Sequence, residues 1–219
     1  MFCVALVFIV GLKLIHVGRA ALYYVQKWRD NADSPDEYYV GRSNPDDEEV
    51  AGYWYGDGLS AHGLKSGQAI HINDPHFIAM MDVRLPFSLE RLREGCNRVY
   101  TNRRTGNHEV HEVVAAIDAV TSVPKPVSAV WATSGLENRR RIERAHAKAT
   151  RASLEHIQRY YAQTRTGKGG RRKEKVKLVV AQFSHKTSRN GDAQMHTHNV
   201  ILAVVLRKDG KWRALDTSN

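Results

Sequence analysis

The sequence has little cysteine and no long apolar run, and both features limit what it can be. Its only cysteines, Cys3 and Cys96, are far apart and lack the spacing of a metal-binding pair. A disulfide framework is therefore not expected, and a reducing compartment is favoured. The first residues, MFCVALVFIVGL, form an apolar run that is shorter than the roughly 20 residues of a membrane-spanning helix. No basic residue precedes this run and no clear cleavage site follows it, so it predicts a buried strand rather than an anchor or a signal peptide.

Acidic residues are outnumbered by basic ones. The 219 residues include 33 Lys and Arg against 23 Asp and Glu, which gives a formal net charge of +10. This balance fits a polyanionic partner such as nucleic acid better than a small acidic ligand. With 42% apolar residues and no internal repeat, the chain can bury a core as one domain, or as one domain plus extensions.

Two apolar runs joined by an Asn-Gly dipeptide mark the second half of the chain. The first, VKLVVAQFSH, covers residues 176–185, and the second starts at Gln194. Asn190-Gly191 is a strong hairpin signal, and a tight turn there pairs residues whose numbers sum to 381. His185 then lies opposite His196, and the period of two places His198 on the same face. A bulge or a wider loop would spoil this register.

Three converging imidazoles are typical of a catalytic metal site that keeps open coordination positions. Ordinary histidines in a polar hairpin are the alternative, but the matching third histidine favours a metal. We therefore predict that His185, His196 and His198 bind a divalent ion: Mg²⁺, Mn²⁺ or Zn²⁺. Imidazole ligands favour the later transition metals. His108 and His111 can compete as ligands, but no register argument supports them.

Asp118 is the carboxylate of an otherwise apolar run, EVHEVVAAIDAV, at residues 109–120. The run reads as a strand in which Asp118 shares a face with Val114, Ala116 and Val120. A buried carboxylate needs a cationic or N–H partner. Asp118 is thus a candidate for orienting a metal-bound histidine, and the alternative is a strand-end aspartate in contact with solvent.

Two tyrosine doublets lie in the first fifth of the chain. Tyr23-Tyr24 falls in GRAALYYVQKWRD, which has helical spacing, and Tyr38-Tyr39 falls in the following loop. The simplest interpretation of each doublet is aromatic packing with the hydroxyl at the surface.

Other patterns predict helices and loops. The Gly- and aromatic-rich stretch 51–68 predicts a loop, SLERLREGCNRVY from Ser88 predicts an amphipathic helix, and Pro126 can open a short helix. Ser134 and Glu137 form a capping-box pattern before a long helix through Ala162. Its predicted buried stripe is Ile142, Ala145, Ala149, Ser153, Ile157 and Tyr160.

Basic residues cluster after that helix, in TRTGKGGRRKEKVK, which predicts a mobile loop that can touch nucleic acid. Six basic residues are predicted to contact DNA: Lys125, Lys168, Arg171, Arg172, Lys186 and Arg189.

Several of these stretches together resemble MobF-type conjugative relaxases of the HUH endonuclease superfamily. SHKTSRNGDAQMHTHNVIL, followed by DGKWRAL, resembles their metal-binding segment. DAVTSVPKPVS resembles their D-x-T-x-S-x-P-K-S-V-S element, with Pro126 in place of a serine. GRAALYY resembles their nucleophile helix. The order of tyrosines, aspartate and histidines also agrees, whereas rolling-circle initiators usually carry the histidines first.

The resemblance implies an α+β fold in which an antiparallel sheet carries the histidine hairpin in its central strands, with helices on one face. It implies a relaxase domain over residues 18–219, incomplete at its C-terminus, after an N-terminal strand or extension over residues 1–17. Tyr23 would be the leading nucleophile and Tyr38 the second, with Tyr24 and Tyr39 as further candidates. Asp118 would support a histidine or take the tyrosine proton.

The implied activity is metal-dependent, strand-specific nicking of transfer-origin DNA through a 5′-phosphotyrosyl intermediate, followed by rejoining. The implied partners are single-stranded DNA, a downstream helicase region, relaxosome proteins and the conjugative secretion apparatus. The implied location is the bacterial cytoplasm, with carriage into the recipient cell alongside the DNA. Three alternatives stay open: an HUH replication initiator or transposase, a non-catalytic basic module that binds single-stranded DNA, and a metal-dependent hydrolase of small phosphates.

Overall fold

A computed structural model describes residues 8–16, 50–71, 74–84, 98–101, 104–111, 113–188 and 190–217. The strands in these ranges are β1 Phe8–His16, β2 Val50–Tyr55, β3 Ala69–His71, β4 Arg98–Thr101, β5 His108–His111, β6 Val114–Ser122, β7 Gln163–Thr166, β8 Arg172–Lys175, β9 Val180–Thr187, β10 Ala193–Leu202, β11 Val204–Leu206 and β12 Trp212–Ala214. The helices are α1 Pro75–Met81, α2 Lys125–Thr133 and α3 Leu136–Tyr160, and short 3-10 turns cover Leu59–His62 and Lys168–Gly170.

Six strands form one antiparallel sheet in the order β1-β6-β10-β9-β2-β3. Strands β9 and β10, which carry the three histidines, lie at its centre. Three two-stranded sheets, β4-β5, β7-β8 and β11-β12, accompany it. The predicted α+β class, with the histidine hairpin in the central strands, is confirmed.

The pairing of β9 with β10 confirms the predicted register, but the prediction of a two-residue turn at Asn190-Gly191 is wrong. Partner numbers sum to 381 from the His185–His196 pair to the Val180–Ile201 pair. The turn itself is wider than two residues, because the Ser188 amide donates to the Asp192 carbonyl, and Thr187 pairs with Ala193. A bulge between Ala193 and His196 adds one residue to β10 and restores the register.

The two faces of the sheet carry different layers. On the histidine face, α1 packs Phe77 edge-on to Phe183, with 5.2 Å between the ring centres. On the opposite face, Leu154 of α3 packs with Val180 and Ile201. Helices therefore pack on both faces of the sheet. Helix α3 covers one face, and α1 lies on the other, where it closes the apolar core below the histidines.

Helix α3 departs from its predicted ends and from its predicted buried stripe. It begins at Leu136 after Gly135, which makes no side-chain capping bond, and it ends at Tyr160, so the capping box and the end at Ala162 are wrong. The buried row consists of His146, Thr150 and Leu154. Five of the six residues predicted for that stripe are only partly buried, and the sixth, Tyr160, is exposed. Two polar residues face the sheet because the sheet presents polar groups to them, which an apolar pattern does not reveal.

Strand β1 exists as predicted, but it is not a buried strand. It lies at the edge of the main sheet, where Leu12 is 68% exposed and Leu14 45% exposed, while Ile15 is buried. An edge strand has a neighbour on one side only, so apolar content alone does not bury it.

Three loop and helix predictions are corrected by short strands. Residues 51–68 contain most of β2 and a 3-10 turn instead of a continuous loop. The basic segment after α3 forms the β7-β8 hairpin. Val99, predicted to be helical, lies in β4, and residues 88–97 fall outside the described ranges. Pro126 does stand in the first turn of α2, as predicted.

Among the described helices, none combines the length and the apolar content that crossing a membrane requires.

Candidate active site

The three histidine rings of the central hairpin form a nearly equilateral triangle. The ring centre of His185 lies 5.3 Å from that of His196 and 5.3 Å from that of His198. His196 and His198 are 5.2 Å apart. His108 and His111 lie apart from this sheet, in β5, where Nδ1 of His108 is 3.2 Å from Thr101 Oγ1. The structure thus brings together the three histidines that the register predicted.

The spacing of the rings fits one shared ion. Imidazoles that bind one ion have ring centres roughly 4.6–5.3 Å apart, given a metal–nitrogen distance of about 2.1 Å and angles of about 90–110°. Among the described residues no three ligand side chains already have their donor atoms closed around a common point. The spacing of the three ring centres therefore suits one shared ion.

Asp118 fixes the orientation of His198. Its Oδ2 atom accepts a hydrogen bond from Nδ1 of His198 over 2.8 Å, and the aspartate is only 4% exposed. A proton held at Nδ1 leaves Nε2 as the lone-pair nitrogen, which is the form that binds a metal. The predicted shared face is confirmed for Ala116, Asp118 and Val120, which pair with Leu202, Val200 and His198 of β10. It does not extend to Val114, because a register shift in the pairing with β1 adds one residue to β6 between Val114 and Ala116.

The bulge in β10 fixes the orientation of His196. Its Nδ1 lies 3.0 Å from the carbonyl oxygen of Gln194, so this nitrogen also has an acceptor for its proton. The Met195 amide donates to the buried Ser128 hydroxyl of α2, and the Met195 carbonyl accepts from the Val123 amide. The segment 118–128 therefore contributes twice to this site. It carries Asp118, and its residues Val123 and Ser128 hold the bulge that orients His196.

A rigid apolar floor lies beside the histidines. Phe183 is fully buried and pairs directly with His198 across the hairpin. Gly52 of β2 approaches so closely that a Cβ atom there would collide with the Gln182 carbonyl and the Phe183 ring. The close approach of β2 therefore requires glycine, and it holds the floor in place.

An exposed cation also lies on the histidine face. Lys13 of β1 pairs directly with Asp118 of β6, and paired residues of an antiparallel sheet point to the same side. No local pattern predicts this position for Lys13, because the β1–β6 pairing is a tertiary contact.

The four tyrosines of the predicted nucleophile set, Tyr23, Tyr24, Tyr38 and Tyr39, lie outside the described residues, as does Arg189. Their predicted roles stay predictions.

Two of the basic residues predicted to contact DNA have acidic partners near the hairpin. Lys125, at the start of α2, lies 3.4 Å from the exposed Asp192 carboxylate. Lys186 lies 3.4 Å from Glu143 and 5.5 Å from the centre of the Trp131 ring. Lys186 is therefore held between side chains of α2 and α3, on the side of the sheet away from His185.

Three further predicted DNA contacts, Lys168, Arg171 and Arg172, are exposed on the β7-β8 hairpin and its turn. This hairpin is tied to the end of the chain, because Arg165 and Lys173 both bind the Asp216 carboxylate, at 3.0 and 3.2 Å. The three exposed cations thus belong to an ordered hairpin rather than to the predicted mobile loop.

His146 is a buried polar residue that the apolar pattern of α3 does not predict. It lies on α3, and its Nε2 atom is 3.0 Å from the Thr197 hydroxyl, on the residue between the two histidines of β10. Burial, with a smaller contribution from the nearby His196, lowers the pKa of His146 to about 4. The available signal in the sequence was that His146 and Thr150 lie one turn apart on the row that also carries Leu154.

Comparison with known proteins places the chain in a family. Residues 17–219 match the TrwC relaxase family. The multifunctional conjugation protein TraI of Escherichia coli is 29% identical over 204 residues, which cover 91% of this chain and 10% of that protein. The corresponding protein of E. coli strain K12 gives the same identity and coverage.

Solved structures agree with the sequence match. A copper-bound structure of the conjugative relaxase TrwC with oriT DNA has a TM-score of 0.65 at 26% identity, and it covers 95% of this chain and 62% of the other. A metal-bound structure of TrwC with oriT DNA has a TM-score of 0.61 at 29% identity, covering 94% and 61%. This chain thus spans about a tenth of the length of the TraI proteins and about three fifths of the TrwC chains. On the family match, the histidine triangle and the shared fold, the chain belongs to the TrwC relaxase family.

Proposed function

We propose that this chain carries the strand-nicking activity of a conjugative relaxase. It would cut one strand of transfer-origin DNA by tyrosine attack on a phosphodiester and later rejoin it. The observation that supports this most directly is the histidine triangle beside Asp118, in a family with metal-bound structures of TrwC in complex with oriT DNA.

His185, His196 and His198 would hold a divalent ion, which can be Mg²⁺, Mn²⁺ or Zn²⁺. Two of the three rings have an acceptor for the Nδ1 proton, so Nε2 is the nitrogen through which each of these two rings would bind the ion. When bound, the ion supplies positive charge that stabilises the negative charge developing on the phosphate oxygens. Imidazole ligands rank the later transition metals above Mg²⁺ in affinity.

Tyr23 is the proposed nucleophile. Its phenolic oxygen would form a new bond to phosphorus, while the bond from phosphorus to the 3′-oxygen breaks. The phenolic proton passes to a base, and the departing 3′-oxygen takes up a proton to become a hydroxyl. Because a phenol with an ordinary pKa near 10 is a weak nucleophile at neutral pH, a base or a cation must assist it. The phosphotyrosyl ester keeps the phosphodiester link available for rejoining.

Asp118 has the role of holding the proton at Nδ1 of His198. The 2.8 Å contact between Oδ2 and Nδ1 of His198 supports this role. Tyr38 would carry out a second transfer when the moved strand is closed, and Tyr24 and Tyr39 are the alternatives within each doublet.

Single-stranded DNA is the proposed substrate, because the phosphate has to reach side chains that stand on a sheet. Lys125, Lys168, Arg171, Arg172, Lys186 and Arg189 are the proposed basic contacts. Binding through them should weaken as salt rises, since counterions released from the DNA drive it.

The remaining proposals concern the whole protein. Residues 18–219 would form the relaxase domain, and the pairing of β1 with β6 joins residues 8–16 to its main sheet. A downstream helicase region, relaxosome proteins and the conjugative secretion apparatus would be its partners. The cytoplasm of a bacterium would be its location, with transfer to the recipient cell alongside the DNA.

The test is covalent capture of a labelled oligonucleotide. A single-stranded transfer-origin oligonucleotide labelled on the 3′ side of the nick should migrate with the protein on a denaturing gel, and the adduct should vanish with a chelator. Tyr23→Phe should remove the adduct without reducing DNA binding. Salt-sensitive binding by the wild-type chain without any adduct would instead assign it as a non-catalytic single-stranded-DNA-binding module.

A further inference from the structure

A buried polar layer lies behind the histidines, between the main sheet and α3. The Thr197 hydroxyl lies 3.0 Å from Nε2 of His146 and 3.2 Å from the Ser184 hydroxyl. The Thr197 carbonyl accepts from the Thr121 hydroxyl over 3.4 Å and from the side-chain amide of Asn199 over 3.3 Å. Residue 197 is therefore held by both its side chain and its carbonyl group.

Thr197 stands between the two histidines of β10. Because side chains alternate along a strand, Thr197 points to α3 while His196 and His198 point to the opposite face. A roll or shift of β10 at this residue would move both rings together. The bulge just before His196 interrupts the ladder with β9, so the orientation of this part of β10 depends on contacts from neighbouring elements.

A histidine is unusual at a buried position of a helix, where an apolar side chain would supply the packing. It is 6% exposed, and its Nδ1 atom has no hydrogen-bond partner within the described part of the chain. A buried polar atom left without a partner costs about 1–3 kcal/mol, which an apolar side chain would avoid. The bond from Nε2 to Thr197 is the contact that compensates for this cost.

We propose that His146 and Thr197 are positioning residues of the metal site: their hydrogen bond fixes the roll of β10 and thereby the aim of His196 and His198. The proposal rests on the proposed function, in which these histidines hold a metal. The His146–Thr197 contact lies on the face of the sheet that packs against α3. It would act through the backbone of β10 and would touch neither metal nor DNA.

Thr150 offers a matched control. It lies one turn beyond His146 on the same buried row of α3, it is 2% exposed, and its hydroxyl is 3.0 Å from that of Thr121 on β6. Thr150→Val therefore removes a buried hydrogen bond between α3 and the sheet without removing a side-chain bond to β10.

The experiment measures zinc affinity by competition with a chromophoric chelator, thermal unfolding without metal, and the absorption bands of the cobalt-loaded chain. His146→Leu and Thr197→Val should each weaken zinc binding about tenfold, at the low end of the 10–100-fold found for residues that support ligands. Both should also alter the cobalt bands, which report ligand geometry. Thr150→Val should lower the unfolding temperature comparably while changing zinc affinity less than about twofold.

Conservative replacements and a double variant separate positioning from packing. His146→Gln places an amide near the Nε2 position and should keep zinc affinity within about threefold of the wild type, as should Thr197→Ser. The double variant His146→Leu with Thr197→Val should bind no more weakly than either single variant.

Two outcomes would overturn the inference: unchanged affinity in Thr197→Val, or equal losses in Thr150→Val and His146→Leu. If His146→Leu fails to fold, the contrast between Thr197→Val and Thr197→Ser decides. A wild-type chain that binds no zinc or cobalt would instead count against the metal site of the proposed function.

Discussion

Replacing Asp118 by asparagine should weaken metal binding about 10–100-fold. The carboxylate is 4% exposed and accepts a 2.8 Å hydrogen bond from His198. Hydrogen bonds to charged groups contribute about 1.5–3 kcal/mol, and each 1.4 kcal/mol corresponds to a factor of ten in affinity. Asparagine keeps the shape of the side chain and can still accept from Nδ1, but it lacks the charge that makes the ring a stronger ligand.

The assay is titration of zinc into the wild-type and variant chains in the presence of a competing chelator, with unfolding curves to show that each variant is folded. Asp192→Asn is the matched control, because Asp192 is an exposed carboxylate of the same hairpin that pairs with Lys125. It should change zinc affinity less than about twofold. In a His198→Ala background, Asp118→Asn should have little further effect. The reasoning is refuted if Asp118→Asn binds zinc as tightly as the control.

Three other predictions follow from the structure and the proposed mechanism. Burial lowers the pKa of His62 from 6.5 to about 4, so the unfolded chain binds the proton first and stability falls as the pH drops from 6.5 to 4. This loss of unfolding free energy amounts to about 3 kcal/mol at most, and His62→Phe should reduce it. Urea unfolding at several pH values measures it, and the same dependence of the unfolding free energy on pH in His62→Phe as in the wild type would show that His62 is not its source. Gly52→Ala should destabilise the chain by about 1–3 kcal/mol through collision with β9, whereas Gly11→Ala, with open space at its Cβ, should change stability by less than about 0.5 kcal/mol in the same assay. Tyr23→Phe should abolish the covalent DNA adduct while Tyr38→Phe keeps the first cleavage, and an adduct retained in Tyr23→Phe on a denaturing gel would exclude Tyr23 as the leading nucleophile.

The hairpin shows how far the sequence alone could lead. Alternation along β10 and pairing with β9 follow from local patterns, so the convergence of His185, His196 and His198 was predictable. The bulge was not, because its Met195 amide is bound by Ser128 of α2, a residue that only the tertiary fold brings near. The register agreed because a wider turn and a bulge shift it in opposite directions.

Residues that depend on neighbouring elements were the ones predicted poorly. Leu12 was predicted to be buried, but β1 lies at the edge of the sheet and leaves this residue exposed. His146 and Thr150 face the sheet although they are polar, because Thr197 and Thr121 provide partners on the facing strands. Such pairings become visible only once two elements are in contact.

The geometry of a bound ion tests the central claim most directly. X-ray absorption spectroscopy on the zinc-loaded chain should show three imidazole nitrogens at about 2.0–2.1 Å from the metal, with the remaining ligands being oxygen. Each of His185→Ala, His196→Ala and His198→Ala should reduce that number by one or abolish binding. A zinc ion with oxygen ligands only, or a nitrogen count that these substitutions leave unchanged, would contradict the account.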